Sequence, residues 1–450
     1  MNTRRRTALL ATWLLGLSTA HATDAFELPP ILYSETAPTD RVASFRERLE
    51  RGDWSCDAHD PKVFLREVLR TLEVPEESQV LVFSQTSQQL SRISPYTPRA
   101  IYFSDDCYVG WVQGGLLEIS ASDPRLGTTF YLLERRRGQP PRLLRDGGCL
   151  SCHGGGKTGG VPGLLVRSVY TDPSGLPIFS AGSFLTSDRS PFEERWGGWY
   201  VTGQHGKQRH MGNSIAERVD RDARLDSSIR LDRDAGANRT SLAGLFSTAP
   251  YLHETSDIVA LMVLEHQVAV HNAFVQASFA TRRAQYRQRQ LGRALNPTND
   301  ETDESLRPDG IGRRILEREA EKVVEFLLFH QEAPLRDDVV GGAAFEQSFL
   351  SRRRATADGH SLRDFDLRRR LFRYRLSYMI HSSAFDTLPR ELKDRIYRRL
   401  WDVLHHEEPK KFHRGRREAL RILQILRETK EDLPSYWYPE KAGTVRARRL

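Results

Sequence analysis

Cysteine and methionine are scarce in this chain, with four of each in 450 residues. So few cysteines exclude a disulfide-built scaffold, which a chain of this length does not need. Long apolar runs are missing too. The nearest, Ile258 to Val275, is interrupted by Glu265, His266, Gln267, His271 and Asn272, whereas a membrane span asks for about 18 or more consecutive apolar residues. No charge sign dominates, 67 Lys+Arg standing against 59 Asp+Glu, and there is neither an internal repeat nor a low-complexity block. Collagen-like, polytopic membrane and tail-dominated nucleic-acid-binding classes are set aside on these grounds. What remains is a globular composition, with 39% hydrophobic residues, 20 Phe and 7 Trp. At about 100–200 residues per domain, two or three domains are expected.

The first 22 residues read as an export signal. Met1 to Arg6 ends in three arginines, Ala8 to Leu17 is almost wholly apolar, and Ala20-His21-Ala22 offers small residues for cleavage. Cleavage after Ala22 leaves no membrane-spanning segment and sends the chain to the periplasm. The remaining basic balance is mild and spread out, so no nucleic-acid partner is expected.

The few cysteines carry the chemistry. Cys149-Leu150-Ser151-Cys152-His153 reads C-x-x-C-H, the attachment signature of a c-type haem. Two thiols at this spacing reach the two vinyl groups of one porphyrin, and His153 presents a ring nitrogen as proximal iron ligand. Such attachment is made outside the cytoplasm, in agreement with the export signal. A thioredoxin-like pair would want a trailing helix, but Gly154, Gly155 and Gly156 follow. A zinc site would want a second Cys or His pair at short spacing, and no other C-x-x-C exists. Eight of the 17 residues from Gly147 to Gly163 are glycine, which lets backbone approach a flat cofactor. Gly156-Lys157-Thr158 ends like a phosphate-binding loop, but Ser151 stands where that loop needs its first glycine. Cys56 and Cys107 form an even couple in an oxidising compartment. A disulfide between them stays open, since spacing alone does not fix their separation.

Three residues within seven positions are candidates for the second axial position: Met211 first, His205 second and His210 third. They lie in the Gly- and aromatic-rich stretch Trp196 to Asn213, where Lys207 or Arg209 could pair with propionates. The competing reading is that the histidines only hydrogen-bond loop carbonyls. Met262 and Met379 read as core. On a helix near Ile258, His266 and His271 fall about 140° apart and do not form one metal-binding face. His405, His406 and His413 read as surface.

The fold class is α+β. A β-rich N-terminal half carries the haem loop, and an all-helical C-terminal half follows. Residues 1–22 are the signal, 23–215 the β-rich haem c-binding domain, 216–256 an exposed connection, and 257–450 a helical domain packing on the haem domain. Short β-branched and aromatic runs at Val80–Phe83, Ala100–Phe103, Tyr108–Val112, Leu116–Ile119 and Thr128–Leu133 predict strands. Helices are predicted over Pro61–Leu72, Asp257–Leu295, Ile315–Phe329, a stretch around Leu388–Leu404 and Ala419–Leu426. Thr387 is the expected cap of the Leu388–Leu404 helix, with Pro389 in its first turn.

The Gly-rich Cys149–Gly163 segment, Trp196–Asn213, the helix from Leu264 to Asn272 and the stretches Ser361–Leu367 and Phe385–Pro389 together resemble a group of large exported bacterial cytochrome-c-domain proteins. The resemblance covers most of the mature chain and implies one covalent haem c, export and electron transfer, but no substrate. In that group Tyr374 is often followed by Pro-Cys; here Arg375-Leu376 follow. Only Cys149, Cys152 and His153 carry an established role across. The leading expectation is therefore a periplasmic monohaem c-type cytochrome exchanging electrons with a redox partner protein or a small-molecule redox substrate. The alternative is a haem-dependent redox enzyme (a peroxidase, oxidase or oxygenase) with an open or displaceable sixth iron site, using His205, Arg209 or Glu265 as acid–base groups. A third class, a haem-bearing binding module, would show an exposed apolar stripe on the Leu388–Leu404 helix.

Overall fold

A computed structural model of the chain describes residues 24–56, 60–136, 138–218, 229–295, 310–406, 411–412 and 415–438. The expected signal at 1–22 and His413 lie outside them. Two helices come first, α1 (Arg41–Glu50) and α2 (Pro61–Thr71). Six strands then run as an antiparallel meander: β1 (Val80–Val82), β2 (Arg99–Phe103), β3 (Cys107–Trp111), β4 (Leu117–Asp123), β5 (Gly127–Glu134) and β6 (Arg142–Arg145). The single turn α3 (Leu150–His153) follows, then a separate ribbon of β7 (Arg167–Val169) and β8 (Ser183–Leu185). β9 (Trp199–Tyr200) returns to pair with β1, giving the sheet order β6-β5-β4-β3-β2-β1-β9.

Successive strand residues point to opposite faces, so this sheet feeds two cores. Leu81, Tyr102, Val109, Ile119 and Tyr131 face α1 and α2. Val80, Val82, Tyr108 and Phe130 face the helical half and share one continuous core with it. That second core is organised by α4 (Ile258–Leu295), against which α5 (Ile311–Leu327) packs. Further along come α6 (Ala343–Ser351), α7 (Ser383–Asp386), α8 (Arg390–His405) and α9 (Arg416–Thr429). The β-rich first half and helical second half are thus as expected. By length and composition α4 could cross a membrane, but 89% of its apolar stretch is buried inside the protein, which makes it a core helix.

The long helix starts where expected because Asp257 caps it, accepting from the amides of Val259 at 2.9 Å and Ala260 at 3.0 Å. α2 starts at Pro61 with Asp60 as its cap, the arrangement that proline's missing N–H favours. Three expectations need correction. α8 begins behind Pro389, not Thr387, whose hydroxyl instead donates back to Ser383 O at 2.9 Å. The segment 216–256 is not an exposed connection throughout: Leu242 and Tyr251 are fully buried against the sheet. Its residues 219–228 lie outside the described residues. α1 and α6 went unpredicted because each carries its apolar residues among charges or glycines. The apolar stripe of α8 is buried at Leu392, Ile396, Leu400 and Leu404, so the feature that would have favoured a docking module is a core face. Cys56 and Cys107 are free thiols, Cys107 deep in the sheet.

One buried carboxylate ties the first helix to the sheet. Asp40 accepts from the amides of Val42 and Ala43 at 2.8 and 2.9 Å. Its second oxygen accepts from the hydroxyls of Thr129 at 2.8 Å and Tyr131 at 2.5 Å. Asp40→Ala removes a cap and strands two buried hydroxyls. It is expected to cost about 2–4 kcal/mol in urea unfolding, with Asp40→Asn losing less; equal midpoints for all three proteins would refute the tie.

Candidate functional site

The C-x-x-C-H motif sits just past the edge strand β6. Asp146 turns the chain there, accepting from the Gly148 amide at 3.1 Å and from the Cys149 thiol at 3.3 Å. Cys149 is already helical, at φ −59° and ψ −29°, and its carbonyl accepts from the His153 amide at 3.0 Å. One helical turn therefore places positions i, i+3 and i+4, namely Cys149, Cys152 and His153, on a single face. Gly154 ends the turn, and a Cβ there would lie 2.9 Å from Leu150 O and 3.0 Å from the Phe26 ring. Burial, reinforced by Asp146, pushes the Cys149 thiol up to about 12. That is opposite to the depressed thiol of a redox-active C-x-x-C pair.

His153 is oriented by the glycine-rich loop it begins. Its Nδ1–H donates to Gly163 O at 2.9 Å, which leaves Nε2 as the ring's lone-pair nitrogen, with no hydrogen-bond partner among the described residues. The Phe130 ring lies 5.1 Å away. Burial holds the imidazole below its ordinary value and so neutral, the form that binds a metal. The accepting carbonyl is fixed in turn. Asn272 of α4 accepts from the Leu164 amide at 2.9 Å and donates to Leu164 O at 2.8 Å. A Cβ at Gly163 would collide with that Asn272 carboxamide at 2.5 Å, so the loop closes onto the helix only with glycine there. Such outer partners set both tautomer and ring direction in metal-binding histidines.

The ground beside this face is open and partly apolar. A Cβ at Gly147, Gly155, Gly156 or Gly160 would meet nothing within 4 Å. Cys152 is exposed and close enough to Arg167 to influence its guanidinium, which lies 4.4 Å over the exposed Phe179 ring. The Arg99–Glu118 pair, 2.7 Å apart, flanks His153. Two thiols and an imidazole nitrogen on one face, beside glycine-lined space and exposed apolar surface, fit a covalently tethered porphyrin.

Met211, His205 and His210 are gathered with one another, not with His153. The His205 and His210 rings lie 4.6 Å apart and pack with Phe192 and Trp196. His205 uses both nitrogens, Nδ1 on Gln208 O and Nε2 on the Asn238 amide, each at 2.9 Å. His210 Nδ1 accepts from the Gly212 amide at 3.0 Å, and its Nε2 is buried without a partner. Met211 is fully buried, and its sulfur accepts from the Ser168 hydroxyl at 3.6 Å. This cluster joins α4 through Arg195, whose carbonyl accepts from the Met211 amide and whose side chain reaches Glu265 at 3.1 Å. The His153 loop joins α4 at Asn272, two turns or about 10 Å further along. Among the enzyme candidates, Arg209 pairs with Asp234 at the surface, also away from His153.

α4 carries a second polar centre that spacing did not reveal. His266 Nε2 bonds the Ser377 hydroxyl at 2.7 Å, and its Nδ1 lies 3.4 Å from Asp188. The order Asp–His–Ser resembles a hydrolytic relay, but Ser377 is fully buried and its oxygen accepts from the Met379 amide as a helix cap. Structure, not nucleophilic catalysis, is what this arrangement can do. Beside it, Gln267 donates to Ser104 O and to the Tyr108 hydroxyl, both at 2.7 Å, and Tyr108 bonds His271 at 2.8 Å. Partners drawn from segments far away in the chain leave no local sequence signal.

Comparison of the chain with family models, with curated proteins and with solved structures finds no match.

Burial raises the Glu265 carboxyl to about 7 against the pull of Arg195. An acid whose folded value exceeds its unfolded value near 4.5 stabilises the fold fully below about pH 4.5, and that contribution is lost as the pH rises through about 7. Thermal unfolding of the native chain should therefore weaken between pH 5 and pH 8, and Glu265→Gln should show a smaller drop. Parallel pH profiles for the two would refute it.

Proposed function

We propose that this chain is an exported monohaem c-type cytochrome of the large cytochrome-c-domain group, passing single electrons to or from a periplasmic redox partner protein or a small redox-active substrate. One observation carries the reading: a single helical turn sets both thiols and the free Nε2 of His153 on one face, with Nδ1 already committed to Gly163 O. Cys149 and Cys152 would hold the porphyrin as thioethers, and His153 would be the proximal ligand. The bound haem supplies one-electron redox chemistry. The Asn272 clamp fixes the direction of the imidazole, and Phe130 packs against its ring. Arg99 and Glu118 place a closed ion pair beside it, which limits the net charge felt there.

Expression with export and a haem c maturation system tests this directly. Haem should stay on the chain through denaturing electrophoresis, and Cys149→Ala with Cys152→Ala should abolish that retention. A chain that releases all its haem on denaturation would defeat the reading.

The haem enzyme with an open or displaceable sixth position is supported by one further observation: Met211 is fully buried with its sulfur on the Ser168 hydroxyl, and both nitrogens of His205 are already bonded. Ferrous holoprotein should bind carbon monoxide readily under this reading. Met211→Leu, a swap costing under about 1.5 kcal/mol in a core, should leave the ferric and ferrous spectra unchanged. A spectrum altered by Met211→Leu, with no carbon monoxide binding in the parent, would instead make Met211 the sixth ligand and leave a pure electron carrier.

A further inference from the structure

Where the bend between β2 and β3 meets the chain after α6, the protein encloses a small cavity of about 140 Å³ that shares no residue with the C-x-x-C-H turn. Its walls are strongly cationic. Arg352, Arg354 and Arg363 line it together with His381, Tyr378 and a single acid, Asp105. Arg363 is only 6% exposed and its Nη2 is bonded to Asp105. The guanidinium lies over the rings of Phe349 and Tyr378, 4.5 and 4.4 Å from their centroids. Its Nη1 is buried and has no partner. His381 bonds Thr429 at 3.0 Å, and burial with Arg354, Lys430 and Arg363 nearby drives it down to about 3, so it is neutral. Burial and the neighbouring Arg363 also lower Arg352, against the pull of Asp105.

Three guanidiniums thus converge with one carboxylate between them. Arg363 is buried and Arg352 half-buried, with Asp105 as the lining acid, and cations drawn out of water with little counter-charge are costly; fixed guanidinium planes match the paired oxygens of phosphates and carboxylates. A volume of 140 Å³ equals roughly five waters at about 30 Å³ each, room for one small ion and too little for a nucleotide. The Tyr378 hydroxyl is already committed, donating to Gln267 Oε1 at 2.7 Å, while Ser361 Oγ accepts from the Arg363 amide at 3.2 Å and keeps its proton to donate. The donors left on the wall are those of the arginines and the Ser361 hydroxyl.

We propose that this cavity binds one small oxyanion, a phosphate or a short carboxylate, between Arg352, Arg354 and Arg363. The site is independent of the haem and stands or falls without it. Calorimetric titration of the full chain with inorganic phosphate, sulfate and succinate, at an ionic strength held constant with sodium chloride, is the test. One-site saturable binding of at least one of the three is expected. Phosphate or sulfate alone identifies a tetrahedral oxyanion, and succinate alone a carboxylate. Arg354→Gln, at an exposed position, should weaken that binding about tenfold or more with an unchanged circular dichroism spectrum. No saturable binding of any of the three would overturn the proposal. So would binding that persists unchanged in both Arg354→Gln and Arg352→Gln.

Discussion

A helix buried over most of its length needs partners for the polar groups it carries, and that requirement shapes this molecule. α4 runs for 38 residues between the sheet and the other helices. In water its polar residues would need nothing; in the core each is a liability of about 1–3 kcal/mol if unpaired. Glu265 takes Arg195, His266 takes Ser377 and Asp188, Gln267 takes Ser104 and Tyr108, His271 takes Tyr108, and Asn272 takes both polar groups of Leu164. These partners come from the sheet, from the loops after the C-x-x-C-H motif and from the C-terminal half. Glu265 Oε1, His271 Nε2 and Thr281 Oγ1 stay unpaired, but the pairs that do form make the helix also the register key that aligns all three.

This arrangement explains how the motif turn is held. α3 is too short to be stable alone, and it keeps its shape through what surrounds it. Asp146 fixes its start, Gly154 ends it against Phe26, and the loop that closes on His153 is clamped by α4. The orientation of one imidazole is thus settled by a carboxamide on a distant helix, through a glycine carbonyl that moves with the loop.

Much of this was legible in the residues themselves. The C-x-x-C-H spacing, the alternating strand runs and the starts of α2 and α4 are local signals. Each reflects a short-range constraint, so pattern reading finds them. The placement of Met211, His205 and His210 was not legible. Their closeness to the motif in ligand type and glycine context says nothing about where β9 and Trp196 carry them, and the structure sets them beside Arg195 and the second turn of α4. The Leu388–Leu404 stripe was correctly periodic, but period alone does not say whether the covering partner is another chain or this one. The buried Asp188–His266–Ser377 and Arg363 clusters join residues separated by more than a hundred positions, and no window of sequence contains them.

The clamp on the Cys149–Gly163 loop also has an order in time. Leu164 and Asn272 are separated by 108 residues in the chain, and Tyr108 and His271 by 163. As the polypeptide emerges, α1 and α2 are available to cover one face of the meander early, while the other face waits for α4. During that interval the Cys149–His153 turn is made but not yet gripped, and the apolar face of the sheet is bare. Long-range closures of this kind are slow and leave such surfaces open to aggregation. A half-finished chain thus has its motif turn at its loosest just when its bare sheet makes it most vulnerable to its own neighbours. The last helix-to-loop contact to form ends both conditions together.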